Sequence, residues 1–195
     1  MKIVGLTGGI GSGKTLVANM FSGFGIPVYD SDLEAKYLMN SSENLREAII
    51  DLLGDQAYAN DKLNRRYIAN KVFDDSHLLE SLNALVHPAV REHFLNWTEN
   101  QQSPYVIQET ALIFENNAQD RYDYVILVTA PEELRIQRVM KRDGQSKEMI
   151  KARIDNQLDD EQKIAKSDFV INNIAKEDTH ESVFQIHKAI MADLS

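Results

Sequence analysis

Apolar residues along this chain follow two periods in turn. Lys2-Ile3-Val4-Gly5-Leu6-Thr7 is a short continuous apolar run and predicts a buried strand. Leu16, Val17, Met20, Phe21 and Phe24 then recur at helical spacing as far as Gly25, a helix stop. Gly25-Ile26-Pro27-Val28-Tyr29 predicts a second short strand ending at Asp30-Ser31-Asp32. From Leu33 to Asn100 the period is helical without a strand signal. Leu45, Ala48, Ile49, Leu52 and Leu53 form one amphipathic face closed by Gly54, and Leu78, Leu79, Leu82, Leu85 and Val86 form another. Pro88 is predicted to open a further helix carrying Val90, Phe94, Leu95 and Trp97. Near-continuous apolar runs return at Tyr105-Val106-Ile107-Gln108 and Tyr124-Val125-Ile126-Leu127-Val128, as expected of parallel strands covered on both faces. A helix starting at Pro131 and broken by Gly144, two short charged helices, a strand at Asp168-Phe169-Val170-Ile171 and a last helix complete the pattern. Alternating strands and helices with an all-helical insertion predict an α/β fold, a parallel sheet flanked by helices.

Composition adds limits. A chain of 195 residues with 43% hydrophobic content buries a full core, and it holds no apolar run long enough for a membrane span. Met1-Lys2-Ile3 leads into the first strand without a signal-peptide pattern, so a cytoplasmic location is expected. Without cysteine there are no disulfides, thiolate metal sites or cysteine nucleophiles. A net charge of -9 argues against nonspecific binding to nucleic acid or acidic membranes. Between Arg135 and Arg153, however, seven basic residues face two acids. That island is either a solvated helix face or a surface for a small anion. No pattern fixes an oligomeric state.

The chemistry concentrates after the first strand. Gly8 to Thr15 read Gly-Gly-Ile-Gly-Ser-Gly-Lys-Thr, a complete G-x-x-x-x-G-K-[ST] phosphate-binding loop between a strand and a helix. Its glycines let successive N–H groups converge on a polyphosphate, Lys14 would neutralise the outer phosphates, and the Thr15 hydroxyl would join a Mg²⁺ shell. Candidate nucleotide contacts in the loop are Gly9, Gly11, Ser12, Gly13, Lys14, Thr15 and Leu16. Transfer of a phosphoryl group to a hydroxyl also needs a group near the acceptor proton, cations around the moving charge and exclusion of water. If the second strand neighbours the first, Asp30 and Asp32 lie near the loop, and an extended segment points both carboxylates the same way. Asp32 would then hold or deprotonate the acceptor. Alternatively the pair forms an Asx turn capping the helix from Leu33. Arg138 and Arg142, four apart on one helix face, are candidates to reach one polyphosphate from a segment that closes as a lid. Glu109, at the end of the third strand, is a candidate acid behind Mg²⁺ or else a helix N-terminal acid.

These residues resemble the dephospho-coenzyme A kinases. The likeness is carried by Thr7 to Lys14, Asp30-Ser31-Asp32, Leu85-Val86-His87-Pro88, Leu112-Ile113-Phe114-Glu115, Gln137-Arg138 with Arg142-Asp143-Gly144, Arg153 with Gln157, and Asp168 to Asn173. The resemblance implies transfer of the ATP γ-phosphoryl to the ribose 3′-hydroxyl of dephospho-coenzyme A. It implies a P-loop core over 1–32, 101–137 and 166–195, a helical acceptor domain over 33–100 and a lid over 138–165. Asp32 matches the acid/base, and Lys14, Arg138 and Arg142 match catalytic cations. Arg138 and Asn173 join the nucleotide contacts, Asp32, Lys36 and His87 the acceptor contacts, and Thr15 and Glu109 the metal side. Three departures stand out: Leu16 replaces a second hydroxyl residue, Glu109-Thr110-Ala111 replaces Asp-x-Pro, and Lys36 stands where Arg is common, losing a bidentate fork.

Competing readings differ in what they require. Another nucleoside monophosphate or small-molecule kinase shares the architecture. A GTPase needs Asn-Lys-x-Asp, but Asn70-Lys71-Val72-Phe73 lacks the acid, and Asp51-Leu52-Leu53-Gly54 reads as a helix end. A binding module without catalysis would leave Asp32 dispensable. The five histidines show no metal-ligand spacing; His180 and His187 are expected at the surface, and Trp97 in the core.

Overall fold

A computed structural model describes residues 1–73 and 75–194. It divides into two compact units, Met1–Tyr29 with Gln101–Ser195, and Asp30–Asn100. The chain runs through β1 (Lys2–Thr7), α1 (Lys14–Gly23) and β2 (Val28–Asp30), whose last residue begins the second unit. That unit holds α2 (Ser31–Ser41), α3 (Glu43–Leu53), β3 (Tyr58–Ala59), β4 (Lys62–Leu63), α4 (Arg65–Phe73) and α5 (Ser76–Glu99). The first unit then resumes with β5 (Tyr105–Glu109), β6 (Tyr124–Thr129), α6 (Glu132–Asp143), α7 (Lys147–Asp155), α8 (Asp160–Ile164), β7 (Phe169–Asn172) and α9 (Lys176–Asp193).

The sheet has the order β2-β5-β1-β6-β7, with β1 parallel to β5 and β6, and β6 parallel to β7. Side chains alternate across it. Val4, Leu6, Ile126 and Val128 join Val17 and Phe21 of α1 and Val183, Ile186 and Ile190 of α9 in one buried cluster. Val125 and Leu127 pack with Ile113 and Phe114 in another. Burial on both faces explains why the strands read as unbroken apolar runs. The order corrects one premise: β5 lies between β2 and β1, so the first two strands are not neighbours.

The helical unit departs from its sequence pattern twice. Asn60 and Asp61 both take positive φ, 51° and 59°, and turn Tyr58–Ala59 back on Lys62–Leu63 as an antiparallel hairpin within the expected all-helical stretch. A two-residue turn with left-handed backbone at both positions matches strand twist, and Asn and Asp tolerate it. Pro88 does not open a helix; it lies inside the 24-residue α5. The cost of an interior proline is about 3 kcal/mol. It is offset by the stripe Leu82, Val86, Val90, Phe94 and Thr98, which stays buried at four-residue spacing on both sides of it. Asn70 and Lys71 fall on α4, and Asp51 to Leu53 end α3, as the pattern suggested.

His187 also differs from expectation. It is half-buried, stacked on Phe24 with ring centroids 5.3 Å apart, and its Nδ1 lies 2.7 Å from the Tyr105 hydroxyl. Desolvation lowers its pKa below the ordinary histidine value. His180 is exposed, and Trp97 is partly buried against Phe94.

Candidate functional site

Within the sheet unit, β1 ends where the glycine loop begins and α1 starts where it ends. Gly13 at the start of α1 has φ 92° and no side chain caps the helix, whose N-terminus is the end that favours an anion. Gly11 is required twice over: its φ is 77°, and an added Cβ would lie 2.5 Å from the Arg135 carbonyl oxygen. Lys14 Nζ curls back to donate to the Gly8 carbonyl at 2.9 Å. The buried Ser12 hydroxyl has no hydrogen-bond partner among the described residues. A buried polar atom left unmatched beside a phosphate loop suits a ligand oxygen.

The loop is gripped from the far edge of the sheet. Asn173 Nδ2 donates to the Ser12 carbonyl at 2.7 Å, while Asn173 Oδ1 accepts from Thr179 Oγ1 at 3.1 Å. Arg138 spans both elements, donating to the Asn173 carbonyl at 3.0 Å and the Ser12 carbonyl at 3.4 Å. The structure therefore brings Lys14, Arg138 and Asn173 to one loop. It does not bring Arg142 there. Arg142 folds onto Asp143 with two bonds of 2.7 and 2.8 Å, which raises its pKa and, with Arg153 assisting, lowers that of Asp143. Much of the basic island is likewise paired: Lys147 with Glu133 at 3.0 Å and Lys151 with Glu132 at 3.8 Å.

Glu109 ends β5, only 7% exposed, and accepts from the Thr15 hydroxyl at 3.0 Å. A hydroxyl and a carboxylate at this spacing fit Mg²⁺, a hard cation that keeps several waters and takes one or two protein oxygens beside substrate phosphates. No group of three His, Asp or Glu able to hold a metal occurs among the described residues. A water- and phosphate-bound Mg²⁺ does not need one. Leu16, in the first turn of α1, is 37% exposed and offers no hydroxyl.

Several residues around this loop were given no role from sequence, although Gln157 and Glu115 are among those that carry the family resemblance and Arg135 opens the basic island. Arg135 is 5% exposed and pairs with Asp160 at 3.1 Å, and Gln157 accepts from the Ile10 N–H at 3.0 Å. Lys163, 2% exposed, pairs with Glu115 at 2.8 Å. Arg135 stands three residues before Arg138 between buried Ile136 and Val139, but nothing in the pattern distinguishes it from its charged neighbours.

In the helical unit, Asp30 is the N-cap of α2: its Oδ1 accepts from the Asp32 and Leu33 N–H groups, both at 3.0 Å. The segment is thus helical from Ser31, not extended, because the cap satisfies two orphan donors of the first turn. The two carboxylates accordingly have different employment. Asp32 is an exposed first-turn residue and Lys36 an exposed residue one turn on, sharing its face. His87 is exposed on α5 beside Pro88. Glu34 and His93 lie 3.7 Å apart, and Tyr37 packs its ring on His93.

A parallel sheet whose central strand feeds a G-x-x-x-x-G-K-T loop and then a helix defines the P-loop kinase fold. The family model of dephospho-CoA kinases matches residues 2–178, and the chain belongs to that family. A dephospho-CoA kinase from Porphyromonas gingivalis is 40% identical over 167 residues, 86% of this chain and 82% of that protein. A solved structure from Thermus thermophilus superposes with a TM-score of 0.86 at 35% identity, covering 100% of this chain and 98% of that one. Dephospho-CoA kinase from Campylobacter jejuni gives 0.62 at 25% identity, with 97% of both chains covered. Among the described residues no helix is long and apolar enough to cross a membrane.

Proposed function

We propose that this chain transfers the γ-phosphoryl of ATP to the ribose 3′-hydroxyl of dephospho-coenzyme A. The observation that carries the reading is the family match combined with a complete donor loop in which Lys14, Thr15, Arg138 and Asn173 all converge. The triphosphate lies along the loop N–H groups, with Lys14 leaving the Gly8 carbonyl for the outer phosphates. Asp32 accepts the proton of the 3′-hydroxyl as its oxygen bonds to the γ-phosphorus. The bond from that phosphorus to the β,γ-bridging oxygen breaks and ADP leaves. Lys36 and His87 contact the acceptor, and 33–100 serves as the acceptor domain. Residues 138–165 act as the lid that limits hydrolysis, with Arg142 swinging from Asp143 when phosphate is present. Thr15 and Glu109 would hold Mg²⁺, which when bound would offset charge on the phosphate oxygens.

An acceptor panel tests the assignment. Purified protein with Mg-ATP is expected to release ADP rapidly with dephospho-coenzyme A, and slowly with nucleoside monophosphates, shikimate or water. Preferred turnover of a nucleoside monophosphate would move the chain to the alternative, another small-molecule P-loop kinase.

A further inference from the structure

The crown of the phosphate loop is held by a clamp of its own. Gln157 Oε1, on the turn between α7 and α8, accepts from the Ile10 N–H at 3.0 Å. Arg135 Nε donates to the Ile10 carbonyl at 2.9 Å, so the two side chains fix donor and acceptor of one residue. They are also joined to each other. Arg135 Nη2 reaches Gln157 Oε1 at 3.5 Å and Nη1 binds Asp160 at 3.1 Å, anchoring a guanidinium that is almost fully buried. Gly9 completes the fit: a Cβ there would lie 2.8 Å from Arg135 Cζ and 3.1 Å from Gln157 Oε1.

We infer that Gln157, acting with Arg135, is a positioning residue that sets the phosphate loop for ATP. It touches no reacting atom. By accepting from the Ile10 N–H it fixes that peptide to the protein, and it ties the α7–α8 segment to the loop through one shared oxygen. The inference rests on the donor half of the reading above, since it assumes only that the loop binds ATP.

The test separates hydrogen bonding from bulk. Gln157→Met keeps the length and removes the acceptor; Gln157→Glu keeps an acceptor for Ile10 and a partner for Arg135. Mg-ATP affinity is measured by calorimetry without acceptor, KM for each substrate by steady-state kinetics, and Ile10 protection by amide exchange. For Gln157→Met the expected result is about tenfold weaker Mg-ATP binding, equivalent to about 1.4 kcal/mol. Faster Ile10 exchange and an unchanged KM for dephospho-coenzyme A should accompany it, with Gln157→Glu restoring most of both losses. Gly9→Ala should reproduce the Met phenotype from the loop side. Wild-type ATP affinity and Ile10 protection in Gln157→Met would overturn the inference, as would equal losses for both substrates in the Met and Glu variants. Because ATP binding is read without acceptor, failure of the acceptor assignment leaves this measurement standing.

Discussion

In the sheet unit, Lys14, Thr15, Arg138 and Asn173 each end on a defined oxygen of the loop or its surroundings, and Glu109 and Asn173 are buried. In the helical unit, Asp32, Lys36 and His87 are exposed on helix surfaces. Polar order there goes into helix ends instead: Asp30 caps α2, Ser42 caps α3 and Asp75 caps α5. The contrast teaches where preorganisation matters. Stabilising a polyphosphate requires N–H groups and cations fixed beforehand, because reorganising them during transfer would return the gain. On the proposed reading Asp32 accepts one proton, and its hydrogen bond to the acceptor forms only when the substrate is bound.

The largest expected effect tests the exposed side. Asp32→Asn should lower kcat by roughly 10²–10⁴-fold, the usual contribution of a general base. Its Mg-ATP affinity by calorimetry should stay at the wild-type value. Loss of ATP binding together with turnover would erase the division between the two units. Lys14→Ala should behave oppositely, losing roughly 10²–10³-fold in kcat/KM, the range for removing one charge-stabilising donor, and losing ATP affinity as well.

Smaller effects separate the two arginines. Arg138→Ala removes charged hydrogen bonds to two carbonyls, each worth about 1.5–3 kcal/mol, and should lower Tm by several degrees. Arg142→Ala removes an exposed pair with its neighbour and should move Tm by no more than about 2 °C. Thermal melts of both variants give the comparison directly; equal losses would mean that Arg142 is as deeply built in as Arg138. The smallest effect concerns His187, far along the chain from the loop. Its folded pKa is below the ordinary value, so below neutrality the unfolded chain binds more protons than the folded one. Stability should therefore fall as pH drops from about 7 to 5, and His187→Gln should flatten that part of the Tm profile. An identical profile would remove the role given to its burial.

What the chain disclosed in advance follows the range of the forces involved. The loop, the strands of the five-stranded sheet and the helix stops at Gly25, Gly54 and Gly144 depend on neighbours in sequence, and could be read there. Asn60-Asp61 was passed over because the strands it joins have two residues each, too short for a period of two to register. Pro88 was misread because a local rule, proline at a helix start, is overridden by a stripe buried along the whole of α5. The insertion of β5 between β2 and β1 is a choice of topology that no strand records in its own residues. Among candidate site residues, Lys14, Thr15 and Glu109 could be named in advance because motif and strand end locate them. Arg135 and Gln157 were named, one in the basic island and the other in the family resemblance, but given no role, because they meet Ile10 across 125 and 147 positions.

The most direct measurement is the position of the transferred phosphate. Wild-type protein with γ-labelled ATP, Mg²⁺ and dephospho-coenzyme A is to be analysed by mass spectrometry and phosphorus NMR. The expected product carries the label as a monoester on the ribose 3′-oxygen, with one ADP formed per product. Label recovered in inorganic phosphate, or on any other oxygen of the acceptor, would contradict the proposed reaction.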